Sequence, residues 1–226
     1  MAVSQAGLIA SGELGDKPAI HVWDCTTLQN ISILKGVHNT GISLLCFIKN
    51  NDLLASCGVR ENSPLLIYNI RDGTLVLSTY LKGFALDLRT VRPYVKVKGE
   101  QELRYEEGKT NTFIACTDHE LYLFTYETGV FTTGEIKMSD FEVQSEVTCC
   151  LAYSYDYINE DSQGIERKIV TLTGHKNGKV YLWENMQDKK EIDTCKGEII
   201  DMIGYDSYIV IASSPSDLHF VKRRYI

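Results

Sequence analysis

A short pattern that returns five times along 226 residues constrains this chain more than any other feature. A strand-like stretch rich in small residues leads through a turn into a second stretch that ends on an aromatic residue. The copies read LIASGELGDKPAIHVWD (8–24), LLASCGVRENSPLLIYN (53–69), TFIACTDHELYLFT (112–125), IVTLTGHKNGKVYLWE (169–184) and, more weakly, YIVIASSPSDLHFVK (208–222). The aligned aromatics are Trp23, Tyr68, Phe124, Trp183 and Phe220, 37 residues apart at the closest and 59 at the widest. A unit of this size cannot bury its apolar faces alone, so the copies must stack on one another.

Repeats of about 40–45 residues built this way are the sequence mark of a WD-repeat β-propeller blade, with loop insertions accounting for longer gaps. The dipeptide Trp23–Asp24 is the WD signature itself; the other copies keep only the aromatic. A blade has four antiparallel strands, a to d from the axis outward, and the repeated stretches are b and c. Small residues in b (Ala10, Ser11, Ala55, Ser56, Ala115, Thr171) let neighbouring blades approach, and the aromatic closing c fills the wedge between blades. Strand a is expected at 41–48, 84–91, 147–154 and 198–205, and strand d at 30–36, 74–80 and 130–136. The RDG (71–73) and ETG (127–129) turns separate c from d. The expected fold is therefore all-β, an incomplete propeller with blades at 1–36, 37–82, 83–137, 138–196 and 197–226. On this reading the chain begins in a strand b and ends after a strand c, as part of a larger ring. A five-bladed closure with ragged ends is the alternative.

Composition narrows the function. The net charge is −7 and the pI about 5.3, so the chain as a whole lacks the basic field that general nucleic-acid binding needs. The seven cysteines form no C-x-x-C pair and most sit in apolar runs. They read as buried reduced thiols and not as a disulfide framework or zinc site. The N-terminus has no signal-peptide pattern, and no stretch approaches the ~18 apolar residues of a membrane span, so an intracellular protein is expected.

Candidate chemistry is sparse. His21, His38, His119, His175 and His219 show no metal-ligand spacing, and His38 is expected to hydrogen-bond within its blade. The KNG stretch (176–178) is too short for a phosphate loop and reads as a hairpin turn. GELGD (12–16) lacks the strand-then-helix setting of a dinucleotide loop. No nucleophile–base set is recognisable. No enzyme activity, metal or cofactor is expected. Two long a–b insertions stand out, RPYVKVKGEQELRYEEGK (92–109) and YDYINEDSQGIERK (155–168). Read as exposed loops on one propeller face, they are candidate binding elements. Arg89, Arg92, Lys96 and Lys98 would form a basic patch at the first, and residues 222–224 a second basic cluster.

The stretches ASGE-x5-AIHVWD, TLQNISILKG and H-x2-GIS-x2-CF, within residues 8–79, resemble the echinoderm microtubule-associated protein-like (EML) family. The fourth copy, TLTGHKNGKVYLWEN (171–185), is similar to the same family's first propeller. That resemblance implies a scaffold associated with microtubules or ciliary structures, with tubulin as partner and a cytoplasmic, cytoskeletal or ciliary location. The hydrophobic motif, the coiled coil and the second propeller of that family are not found in these residues. An adaptor of a ciliary, axonemal or other assembly is the second reading, and an enzyme fused to such a propeller the third.

Overall fold

The computed structural model describes residues 1–226 apart from 5, 37, 49–51, 63, 97–102, 106–110, 159–164, 206, 207 and 223–226. Its elements are almost all strands, in five mainly antiparallel sheets that follow the sequence repeat. The first sheet is β1 (Ala2–Val3), β2 (Leu8–Gly12), β3 (Ile20–Asp24) and β4 (Asn30–Leu34), in that order. The second is β5 (Ile42–Ile48), β6 (Leu53–Gly58), β7 (Pro64–Asn69) and β8 (Leu75–Tyr80). The third opens with β9 (Ala85–Thr90). The chain then forms β10 (Arg92–Lys96) and β11 (Leu103–Tyr105) before completing that sheet with β12 (Thr112–Thr117), β13 (Glu120–Glu127) and β14 (Val130–Lys137). The fourth holds β15 (Val147–Ile158), β16 (Ile165–His175), β17 (Lys179–Glu184) and β18 (Asp188–Thr194). The fifth has three strands, β19 (Ile199–Tyr205), β20 (Tyr208–Ser213) and β21 (Asp217–Lys222).

The innermost strands of consecutive sheets lie beside one another, β1 by β5, β5 by β9, β9 by β15 and β15 by β19. Four apolar layers fill the wedges between sheets. Ala10, Ile20 and Val22 meet Leu54, Leu66 and Tyr68 in the first wedge. Ala55, Cys57 and Ile67 meet Phe113, Ala115 and Phe124 in the second, where the rings of Phe113 and Phe124 stack at 4.8 Å. Ile114, Cys116 and Leu121 meet Cys150, Ala152 and Trp183 in the third. Leu151, Leu172 and Leu182 meet Met202, Ile209 and Ile211 in the fourth. Strand alternation explains the split: residues two apart face one neighbour and the residues between them face the other. The small side chains expected in strands b, Ala10, Ala55 and Ala115, are fully buried in these layers.

Three expectations from the sequence need correction. The chain does not begin in a strand b: β1 pairs with β2 through Ala2↔Ala10 and Val3↔Ile9, so the first sheet has four strands. Two residues carry too little pattern to announce a strand. The insertions are also not plain loops. Residues 92–96 pair in parallel with β15 (Arg92↔Tyr153 to Tyr94↔Tyr155), and β11 adds to the outer edge of β10, making a six-stranded fourth sheet. Residues 155–158 and 165–168 prolong β15 and β16, with pairing kept to Ile158↔Ile165. Tyr153, Tyr155 and Tyr157 alternate with Ser154 and Asp156 along β15, and Tyr94 and Tyr155 are buried. Finally, the fifth aromatic is displaced by one residue. Counted from the inner-strand bulges at Val147/Cys149 and Ile199/Asp201, the place of Trp183 falls on Val221, and Phe220 points to the opposite face.

Candidate protein-interaction surface

The wedge under the fourth sheet shows what holds the scaffold rigid. Trp183 is fully buried and its indole N–H donates to Thr173 Oγ1 at 3.0 Å. Thr173 Oγ1 lies 2.9 Å from His175 Nε2, and His175 Nδ1 lies 2.9 Å from the carbonyl oxygen of Ser145. A carbonyl only accepts, so Nδ1 carries the proton, Nε2 accepts, and the Thr173 hydroxyl donates to it while receiving the indole N–H. Burial lowers the His175 pKa, which keeps the ring neutral as this chain of bonds requires. His38 repeats the motif in smaller form: it is buried with Nε2 2.8 Å from Ser56 Oγ, and burial pushes its pKa down to about 4. Both histidines are structural.

A second fastening lies on the inner strands. Asp87 accepts from the Leu88 N–H at 2.9 Å and from the Cys150 N–H of the fourth sheet at 3.1 Å. Arg89 donates from Nε to Asp87 Oδ1 at 2.9 Å and from Nη2 to Asp201 Oδ1 of the fifth sheet at 2.6 Å. Burial works against its charge, yet the two carboxylates outweigh burial and raise its pKa above the ordinary value. One side chain pair thus ties three sheets. Neither Asp87 nor Asp201 stood out in the sequence, because an acidic residue inside a strand gives no periodic signal.

The four cations expected to form one basic patch sit as follows. Arg89 is held in the fastening just described. Arg92 donates from Nη1 to the Gly204 carbonyl at 3.0 Å. Lys96 ends β10, its backbone opposite Leu103. Lys98 lies outside the described residues, as do residues 223 and 224 of the second basic cluster. What the structure adds is an arm. β16 pairs with β17 from Val170 to Gly174, but with β15 it continues five residues further to Ile165. Five pairs at about 3.4 Å each project ~17 Å past the sheet's third strand. Tyr94 and Tyr153 pack edge to face at 6.0 Å at its root. Arg167 grips Asp156 across it through Nε–Oδ1 at 2.8 Å, and Tyr157 donates to Glu166 at 2.9 Å. β10 lies along the root of this arm, so the backbone of Arg92–Lys96 belongs to it.

The aromatics of the repeat differ in fate. Tyr68, Phe124 and Trp183 are buried between sheets, Trp23 is half-buried, and Phe220 is 67% exposed. The first and last sheets therefore do not cover each other, and no closed ring is formed among the described residues. Burial pushes the thiols of Cys46, Cys57 and Cys149 up to about 12, which suits inert core cysteines; Cys25 is exposed. Among the described residues no group of three or more His, Cys, Asp or Glu is arranged to hold a metal, and no helix is long and apolar enough to cross a membrane.

Sheets stacked side by side about a common inner edge define the β-propeller class of architecture. The chain is similar to the β-propeller domain of Cps50 (Swd1) from Myceliophteria thermophila, with a TM-score of 0.63 and 12% identity over 97% of this chain and 69% of that one. It is also similar to two computationally designed proteins. Ika4 gives a TM-score of 0.54 at 14% identity, covering 86% of this chain and 98% of that one. Ika8 gives 0.51 at 14% identity, covering 98% and 70%. No family model matches the chain. Likeness at these identities shows the propeller-type fold alone. It does not single out the microtubule-associated family.

Proposed function

We propose that the chain is a non-catalytic protein-interaction scaffold whose partner docks on the β15–β16 arm and the adjoining β10. The observation that carries this reading is the arm itself: a hairpin prolonged beyond its sheet, braced by ion pairs and tyrosines, on a body otherwise devoted to sheet packing. Binding elements gain most when a rigid scaffold holds them, because little ordering cost remains at association.

The specific partner we propose is the microtubule, in a cytoplasmic, cytoskeletal or ciliary setting. The support is the resemblance of residues 8–79 to the EML family and the basic run Arg92, Lys96 and Lys98 beginning on β10. A chain of net charge −7 meets an acidic lattice through a local cationic element or through shape and apolar contact, and this run is the cationic element we choose. Arg89 has no part in it, since Asp87 and Asp201 occupy its guanidinium. Co-sedimentation of the full chain with microtubules tests this. Pelleting is expected at low salt, decreasing as salt rises, and reduced about tenfold in Arg92→Glu/Lys96→Glu/Lys98→Glu. A chain that stays in the supernatant at low salt rejects tubulin as partner. Undiminished pelleting of the triple variant rejects the basic run.

A further inference from the structure

The inner strands of sheets two to five each hold one extra residue near their start. The pairing register skips Ser43 between Ile42 and Leu44, Leu86 between Ala85 and Asp87, Thr148 between Val147 and Cys149, and Ile200 between Ile199 and Asp201. A bulge of this kind frees one side chain from the pleat and re-aims it. In two of the four sheets that residue is polar and bonds within its own sheet. Ser43 Oγ donates to the Gly58 carbonyl at 2.9 Å, and Thr148 Oγ1 donates to the Gly174 carbonyl at 3.1 Å. In sheets three and five the residue is aliphatic and has no hydroxyl to offer. Leu86 is 37% exposed and Ile200 59%. Sheets two and three have a neighbour on each side, yet Ser43 and Leu86 are exposed. The exposure therefore belongs to the bulge position and not to a sheet's place in the chain.

Leu86, Thr148 and Ile200 line one hollow of about 520 Å³, set over the starts of β9, β15 and β19. Phe84 adds a ring that is 48% exposed. Its backbone is clamped, because its N–H donates to Asp118 Oδ1 at 3.0 Å and its carbonyl accepts from the Asp118 N–H at 3.2 Å. Phe84, Leu86 and Ile200 thus form an apolar floor on a fixed frame. The rim is acidic. Among the described residues lining the hollow, Asp118, Glu146 and Glu198 stand against one cation, Lys176, which is paired with Glu146 and lies in the field of Glu198 as well.

We infer that this hollow takes an extended segment of a partner protein that presents aliphatic side chains around a lysine or arginine. The aliphatic groups cover Phe84, Leu86 and Ile200, and the cation meets the surplus of carboxylates on the rim. A volume of this size has room for a few side chains. A hydroxyl at the bulge bonds its own sheet; an aliphatic group there adds nothing until a partner covers it, and then contributes in proportion to the area buried. The hollow is separate from the arm. β15 runs roughly 27 Å from Thr148 to Asp156, with the hollow at one end and the arm at the other.

The test uses the full chain without tubulin, so this inference and the microtubule reading can fail separately. Phage-displayed random heptapeptides are panned on the chain, and the enriched sequences are synthesised and titrated. They should carry a lysine or arginine flanked by aliphatic residues, and their affinity should fall as salt rises. Leu86→Thr/Ile200→Thr gives sheets three and five a hydroxyl residue at the bulge, as sheets two and four have, and keeps the fold, which far-UV circular dichroism and a melt verify. It should bind the peptides at least ~10-fold more weakly. Glu198→Lys, at an exposed side chain, should weaken them about tenfold and flatten the salt dependence. Arg92→Glu/Lys96→Glu/Lys98→Glu, on the arm, should bind them as the parent does. Panning that enriches nothing, or enriches peptides without a cation, overturns the inference. Unchanged affinity in either folded variant of the hollow overturns it too, as does loss of the peptides in the arm variant.

Discussion

Trp183 and Trp23 occupy the same position in sheets four and one, yet live in different physical worlds. Trp183 is fully buried, donates to Thr173 and packs edge to face on Phe141 at 5.2 Å. Trp23 has the same strand and register and is only half-buried. The difference lies outside the repeat: Trp183 has a preceding sheet to pack against, and among the described residues Trp23 has none. Local sequence writes the strand and its aromatic; the neighbour decides how much that aromatic stabilises.

Truncation sharpens the comparison most. Trp183→Ala empties a packed wedge and removes the N–H that Thr173 Oγ1 accepts, and should cost about 3–5 kcal/mol, whereas Trp23→Ala should cost about 1 kcal/mol or less in the single chain. Chemical denaturation of both variants measures this, and equal losses would mean that the first sheet is covered after all. The inner fastening comes next. Arg89→Met leaves Asp87 and Asp201 without their cation and should cost about 2 kcal/mol, reduced from a fully buried pair because Asp201 is partly exposed. Arg71→Ala, which frees the exposed Asp52, should change stability by at most about 0.5 kcal/mol.

Acid separates the wedge histidines from the surface. The His38 pKa is held near 4 in the fold against 6.5 for an ordinary histidine. The unfolded chain takes up that proton first. The stabilisation is therefore complete above pH 6.5 and lost as pH falls toward 4, by about 1–2 kcal/mol. His175 acts in the same direction. Denaturation midpoints of the parent and of His38→Asn, followed over this window, check it: the acid limb should flatten in the variant. A limb of unchanged slope would assign the acid loss to other groups.

Much of the fold was legible because its information is local. The small residues of strands b, the aromatics of strands c and the turns after them repeat, and the structure has strands at each of those places. What escaped the sequence was set by partners distant along the chain. Residues 92–96 form a strand between two partners, Tyr153–Tyr155 on one side and Leu103–Tyr105 on the other. Phe220 took the place of Val221 in the repeat because an aromatic was expected there, although the bulge at Ile199/Asp201 fixes the register. The basic patch was read from spacing alone, and spacing cannot reveal that Asp201, 112 positions beyond Arg89, meets its guanidinium.

Hydrogen exchange on the chain tests most directly that, among the described residues, the inner sheets are sealed and the first and last do not cover each other. Amides of β12, β16 and β17, buried between neighbouring sheets, should be the slowest to exchange, and those of β1 and β21 should exchange faster by orders of magnitude. Protection in β1 and β21 equal to that in β16 would contradict the account, because it would mean that the first and last sheets close on each other within one chain.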